Sequence, residues 1–375
     1  ATVAIGKDAL QDLTSGQGTT AAGYRALADV TTGDYNTAFG YAAGDGMTTG
    51  LSNTLMGWGA GGASGFNAGG YNVMLGAEAG SSAITPYSNV YIGYRSGGQN
   101  KQGGYNVMIG DAAGYNPVGN NFSGSHNVFM GYAAGYNTGA DKNVFIGSSA
   151  GQYTTGSFNT FMGYQAGKGG TTSAPYSSGQ QNTALGYQAL TAFTTGGNNV
   201  AIGKGSSPAL TTGTGNVSIG VSANESSTTG GSNVAIGYNS HRYISGGDKN
   251  IAIGYAALQS SGTPANNDAQ YNIGIGYWAL LAITDGDNNT VLGNLAASAM
   301  TTTSNTVIIG VEAGDAINST DANGSVLIGR SAGGAITSGQ YNTAIGYQAG
   351  LAMTDNDGNT ILGYQAFKTA NSGEN

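Results

Sequence analysis

The residues able to do acid–base or metal chemistry are few and scattered. The only two histidines, His126 and His241, stand far apart, each in a segment that reads as a turn, and the chain has no cysteine. Disulfides and thiolate metal sites are therefore excluded. Asp111, Glu225, Asp248, Asp268, Asp285, Asp287, Glu312, Asp315 and Asp321 form no repeated pair, as the two carboxylates flanking a glycosidic bond would require. Asp285 with Asp287 and Asp355 with Asp357 are weak candidates for isolated cation sites. The repeated Gly-Gly-x-Gly-x-Asp pattern of calcium-binding solenoids does not recur. There is no HExxH, nucleophile elbow, P-loop or Rossmann fingerprint in a fitting context. The expectation is a chain that is not an enzyme and uses no cofactor and no metal. What remains are aromatic rings at one fixed place in a repeat: Tyr24, Tyr41, Tyr94, Tyr132, Tyr164, Tyr187, Tyr238, Tyr255, Tyr277, Tyr347 and Tyr364, with Trp58 as a twelfth. Such rings cover apolar surface, while a hydroxyl reaches water or a partner. Packing within or between chains is the plainer role, and stacking on sugars the sharper one.

Those rings follow a glycine that recurs along the whole chain, at Gly6, Gly23, Gly40 and onward to Gly363. It occurs in 21 copies, and 13 of the 20 intervals are 17 residues. A fixed short period is the signature of a solenoid in which each repeat is one coil. The length of 375 residues then reads as one rod, residues 1–367, followed by a tail at 368–375.

Numbering the motif from its Asn as position 0, position 1 is Val, Thr or Ile, and position 3 is Ile, Leu, Met or Phe, with Ala22 the exception. This alternation predicts a strand with one buried face. Position 4 is always Gly, as a corner of positive φ or a place without room for a Cβ requires. Position 7 is Ala in 18 copies and Ser in three (Ser96, Ser206, Ser240). So uniformly small a position points to close approach of coils or chains. A second short extended piece is expected past the corner, then a polar turn such as Thr31-Thr32-Gly33. Position 0 is Asn in 17 copies, and stacked Asn side chains can bond to one another or to the backbone at the corner. The sequence thus predicts an all-β parallel β-solenoid, a β-roll or β-helix of about 21 coils. Its interior would be a thin core of Val, Ile, Leu, Met and Ala. At the ~4.8 Å spacing of paired strands its length is on the order of 100 Å.

Longer intervals place insertions at roughly 61–71, 115–126, 168–181, 259–271 and 315–324. These would be loops on one side, three of them with Pro117, Pro175 and Pro264. Phe122, His126 and Tyr176 in these loops are the candidates for contact with a glycan or partner.

Gly supplies 69 residues, charged residues make up 8%, and the net charge is −8. Gly is not at every third position, so collagen is excluded. Lys and Arg are scattered singly, which predicts no nucleic-acid partner. No run approaches a membrane span, so no membrane insertion is expected. The Thr pairs are adjacent rather than in a Thr-x-Thr row, which disfavours ice binding. The first residue is Ala and no signal peptide is evident, so the chain is expected to be processed or a piece of something longer.

The motifs Asn342-Thr-Ala-Ile-Gly-Tyr-Gln-Ala and Asn182-Thr-Ala-Leu-Gly-Tyr-Gln-Ala-Leu resemble the repeats of phage tail-fibre proteins. Asn199-Val-Ala-Ile-Gly and Asn233-Val-Ala-Ile-Gly are similar to the YadA-like heads of trimeric autotransporter adhesins. The resemblance covers nearly the whole chain and rests on a short motif. It implies a left-handed β-roll, a homotrimer and an extracellular place, on a virion tail fibre or a cell surface. The period here is longer than the YadA-like one, and 368–375 is too short for the self-cleaving chaperone domain of many phage fibres. The function it implies is a fibre shaft with adhesion to a host-surface glycan or receptor through surface loops. A bacterial adhesin, or an extracellular filament whose copies stack end to end because neither end looks capped, is the alternative.

Overall fold

The structure is a computed structural model describing residues 1–62, 68–117, 123–173, 176–260, 267–318 and 322–369. The chain forms two compact units, Ala1–Thr195 and Gly196–Asn375. The first runs from β1 (Val3–Ile5) to β11 (Thr183–Leu185), the second from β12 (Val200–Ile202) to β21 (Thr360–Leu362). Every strand is three residues long and occupies motif positions 1 to 3. Within each unit successive strands pair in parallel and in register. Phe129 stands on Phe145 and Phe145 on Phe161 in the first unit, and Ser218 on Ala235 and Ala235 on Ala252 in the second. No α-helix occurs among the described residues. The chain is an all-β parallel β-solenoid of 21 turns with the 17-residue spacing read from the sequence.

Both reasons for the invariant glycine hold together. Gly254 has φ +134, and a Cβ there would lie 2.4 Å from the carbonyl oxygen of Gly276 in the next coil. Gly40 repeats this against Gly57, at φ +133 and 2.6 Å. The asparagine column is a buried ladder. Asn53 Nδ2 donates to Asn36 Oδ1 (3.0 Å) and to the carbonyl of Gly69 (3.0 Å), while its own Oδ1 accepts the N–H of Asn72 (3.1 Å). In the second unit the N–H groups of Asn216, Asn233 and Asn250 each bond the preceding Asn Oδ1 at 2.9 Å. Each amide satisfies the backbone at a corner where the chain turns out of the ladder, which is where buried N–H and C=O groups would otherwise be orphaned.

Past the corner the expected extended piece is absent. The chain turns instead, with left-handed residues at positions 6 and 8: Arg25 (φ 55), Leu27 (φ 52), Ala256 (φ 53) and Leu258 (φ 48). The physical reason is that two adjacent side chains must both enter the interior. Ala189 with Leu190, and Ala257 with Leu258, are fully buried neighbours, whereas successive side chains of a strand point to opposite faces. A left-handed L-residue costs roughly 1–2 kcal/mol. Bonds between coils offset this, as where Leu27 N–H donates to Ala43 O (2.9 Å) and Ala42 N–H to Tyr24 O (2.8 Å).

The strand faces the other way from the sequence expectation. Position 2 is buried, and positions 1 and 3, with their Val, Ile and Leu, lie on the outside, half-buried by their neighbours in the sheet. The interior is filled by positions 2, 7, 8 and 11, which compensate one another in size. Where position 2 is Met74, Tyr91, Met108, Phe129, Phe145 or Phe161, position 8 is Gly. A Cβ at Gly97 would meet the Tyr91 ring at 2.8 Å, and one at Gly151 the Phe145 ring at 2.4 Å. Where position 2 is Ala21, Ala184, Ala252 or Gly274, position 8 is Leu27, Leu190, Leu258 or Leu280. The Ala column at position 7 is also inside its own coil, with Ala43, Ala134 and Ala257 fully buried. It packs against the core of its own chain and is not exposed to a second one.

Candidate functional site

Because the strand turns its β-branched side chains outward, the outer face of the strands is apolar in each unit. Position 3 shows Ile5, Phe39, Met56, Met130 and Met162 as exposed side chains in the first unit, and in the second the column is half-buried up to the exposed Leu362; position 1 adds Val and Thr beside it. One corner further on, position 5 carries the predicted aromatics, and all twelve are exposed, from 38% at Tyr24 to 74% at Tyr364. Many of them stack: Tyr24 on Tyr41 (5.1 Å between ring centres), Tyr164 on Tyr187 (5.4 Å) and Tyr347 on Tyr364 (5.4 Å). Tyr255 lies between Tyr238 and Tyr277 at 5.3 and 5.2 Å, with interplanar angles of 9° and 15°. A ring so sandwiched offers its edge and hydroxyl outward and keeps its faces against its neighbours. These files are packing ladders first, and a sugar face can meet a ring face only where a file is interrupted. The Arg95 guanidinium lies 4.9 Å from the centre of the Tyr94 ring, so a cation occupies that position.

A second aromatic file was not anticipated. It sits immediately before the Asn ladder, at positions −1 and −2, and contains Tyr71, Tyr87, Tyr105 and His126. Tyr87 meets Tyr71 and Tyr105 edge-on (5.4 Å at 73°, 6.0 Å at 65°), and His126 stacks on Tyr105 at 5.1 Å. All four side chains are exposed. The alternating tilt sets it apart from the stacked file at position 5. The signal in the sequence was the aromatic residue directly before Asn at Tyr35, Tyr71, Tyr105, Phe158, Tyr271 and Tyr341, and all six have left-handed backbones with φ between 55 and 62. Of the predicted loop residues, His126 joins this file, and Tyr176 stacks on Tyr153 at 6.0 Å. Phe122 lies outside the described residues.

Of the two candidate cation pairs, one carboxylate each binds a backbone N–H. Asp287 Oδ1 accepts the N–H of Gln270 (2.7 Å) and Asp357 Oδ1 that of Gln340 (2.7 Å). Asp34, Asp141 and Asp248 do the same at the same motif position, bonding Gln17, Ser125 and Gly231. Glu225 pairs with Arg242, and Glu78 with Arg95. Among the described residues no cluster of three or more His, Asp or Glu could hold a metal ion. A shallow groove beside Thr212, Thr229, Ser232, Asp248 and Lys249 is lined by hydroxyls. Its Lys249 ammonium donates to the Tyr271 hydroxyl (3.0 Å), which raises the lysine's pKa.

The two titratable groups buried among the described residues are inside the coils. The Tyr91 hydroxyl accepts from Asn100 Nδ2 (2.8 Å), and burial pushes its pKa up. His241, which the sequence placed in a turn, is fully buried, and burial lowers its pKa from 6.5 to about 4. Among the described residues no helix is long and apolar enough to cross a membrane. No protein-family model matches the chain. No curated protein matches it at a significant level.

Proposed function

We propose that this chain is the structural shaft of a phage tail fibre. In this reading three copies associate side by side as a homotrimer of left-handed coils on an extracellular virion appendage. Adhesion to a host-surface glycan is carried by the tilted aromatic file and the inserted loops. The observation behind it is that the coil is apolar on both sides of its strand. Positions 2, 7, 8 and 11 fill an interior of their own, and the Ile, Leu, Met and Val of positions 1 and 3 remain outside. A contiguous exposed apolar wall is the mark of an association surface. A second copy carries the same wall at the same coil spacing, so identical columns match along the stack, as a closed symmetric oligomer requires. Weak contacts repeated on three chains would give adhesion through multivalency.

Cryo-electron microscopy of the native particle tests the proposal. Threefold rods attached at one end to a larger particle, with the position 3 column at the contact, are the expected result. Long continuous filaments with this chain repeating along the axis would overturn the shaft in favour of a self-assembling bacterial surface filament. A companion test replaces Ile236 and Ile253 together by Glu. Light scattering should show the oligomer reduced to monomer while circular dichroism is unchanged. An unaltered oligomer would refute the assignment of this face.

A further inference from the structure

His241 sits at motif position 8, where Leu190 and Leu258 fill the interior of other coils, and keeps their left-handed backbone at φ 51. Its Nδ1 is 2.8 Å from Asn224 Oδ1, and its Nε2 is 3.2 Å from Asn250 Nδ2. The orientation of the Asn250 amide is set by other bonds, and it fixes the roles along the line. Asn250 Nδ2 donates to the carbonyl of Ala269 (2.8 Å), and its Oδ1 accepts the N–H of Asn272 (3.0 Å). Asn224 Nδ2 donates to Ser207 Oγ (3.4 Å), which is 2.8 Å from Ser218 Oγ. An amide oxygen only accepts and an amide nitrogen only donates, so Nδ1 carries the imidazole proton and Nε2 accepts. A polar line therefore runs through coils whose position 2 residues are as small as Ser218, Ala235 and Ala252.

A second proton on the ring would aim an N–H at the N–H of Asn250. That amide cannot flip without giving up both Ala269 and Asn272, and it is itself a member of the asparagine ladder. Among the described residues no carboxylate is within hydrogen-bond reach of the ring to meet the new charge. The ring's polar partners are Asn224 from the coil before it, itself bonded to Ser207, and Asn250 from the coil after it, where the Ala257 carbonyl accepts the His241 N–H (2.9 Å). The charged groups of these coils face outward: Glu225 pairs with Arg242, Asp248 accepts the Gly231 N–H, Asp268 accepts from Gln270, Lys249 donates to the Tyr271 hydroxyl, and Lys204 is exposed.

We infer that His241 is an acid-sensitive latch in the second unit: protonation of its imidazole opens the Asn224–His241–Asn250 line and loosens the coils it joins. The direction follows from linkage. The folded pKa is depressed by burial, so the open state takes the proton first. Protection is full above 6.5, falls as the pH drops toward about 4, and levels below it. Between neutrality and about pH 4.5 the opening equilibrium should rise roughly 60-fold.

Hydrogen exchange of the full chain, read by mass spectrometry and corrected for intrinsic rates, tests this. Peptides within 217–258 should lose protection on that scale between neutral pH and about pH 4.5. His241→Leu, which restores the residue used by neighbouring coils, should abolish the pH dependence there. Protection that is independent of pH, or an equal loss in His241→Leu, overturns the latch. Because the variant could perturb packing, the second measurement is NMR of histidine-labelled wild-type protein. An Nδ1–H tautomer of His241 that resists titration until well below 6.5 is expected. A His241 that titrates at the ordinary histidine value of 6.5 refutes the proposal.

Discussion

Replacing Phe145 by Ala opens a gap in the centre of a three-ring stack. Phe145 is fully buried, with Phe129 and Phe161 each at 5.0 Å and interplanar angles of 10° and 6°. The lost ring and the residual cavity should cost about 3–5 kcal/mol, some of it from the two ring–ring contacts. Gly151→Leu alone is overpacked, since even its Cβ would be 2.4 Å from the Phe145 ring, and should cost about 1–3 kcal/mol or more. The double variant recreates the pairing of Ala184 with Leu190. Its left-handed backbone is one that Leu already adopts in other coils at φ 48 to 53. It should therefore be less destabilised than the sum of the single variants, by about 2–3 kcal/mol. A stack of coils need not unfold in one step. The assay is accordingly local: native-state hydrogen exchange of peptides within 144–166, in all four corners of the cycle. Strict additivity would refute the argument that positions 2 and 8 share one volume.

Gly254→Ala should cost about 3 kcal/mol or more, because it combines a φ of +134 with a contact of 2.4 Å to the Gly276 carbonyl; native-state hydrogen exchange of peptides around that coil reads it. Asn106→Asp keeps the acceptor used by Asn127 but turns an oxygen toward Asn89 Oδ1 and the Gly124 carbonyl. The buried carboxylate's pKa should rise, so its penalty of about 3 kcal/mol or more is present at neutral pH, fades as the pH falls through the raised folded value, and is gone below about pH 4. Melting curves across that range should show the variant approaching wild type in acid.

The repeat made much of the coil legible. The invariant glycine, the three-residue strand and the asparagine column each follow from local rules: a Cβ that cannot fit, a β-branched run, and an amide that must satisfy a corner. The position 5 tyrosines were located correctly as an outer file. The faces of the strand were not. With Ile and Val at positions 1 and 3, and anything from Gly274 to Phe161 at position 2, the more hydrophobic columns looked like the core. A signal for the true arrangement was present in the opposed sizes of positions 2 and 8, such as Phe145 with Gly151 against Ala184 with Leu190. It is visible only when repeats are compared as volumes rather than as polarity.

By itself the sequence determined the period, the parallel register and the glycine corner of each coil, because stacking identical units leaves those choices to backbone sterics and amide bonding. Only the tertiary structure decided which side of the strand is inside. A three-residue strand with apolar residues on both faces carries no polarity signal to orient it. The choice falls to the turn after the glycine, whose left-handed residues bring two adjacent side chains inward and complete an interior that position 2 alone can share. The same turn placed His241 among asparagines rather than in water, and left the aliphatic columns on the outside.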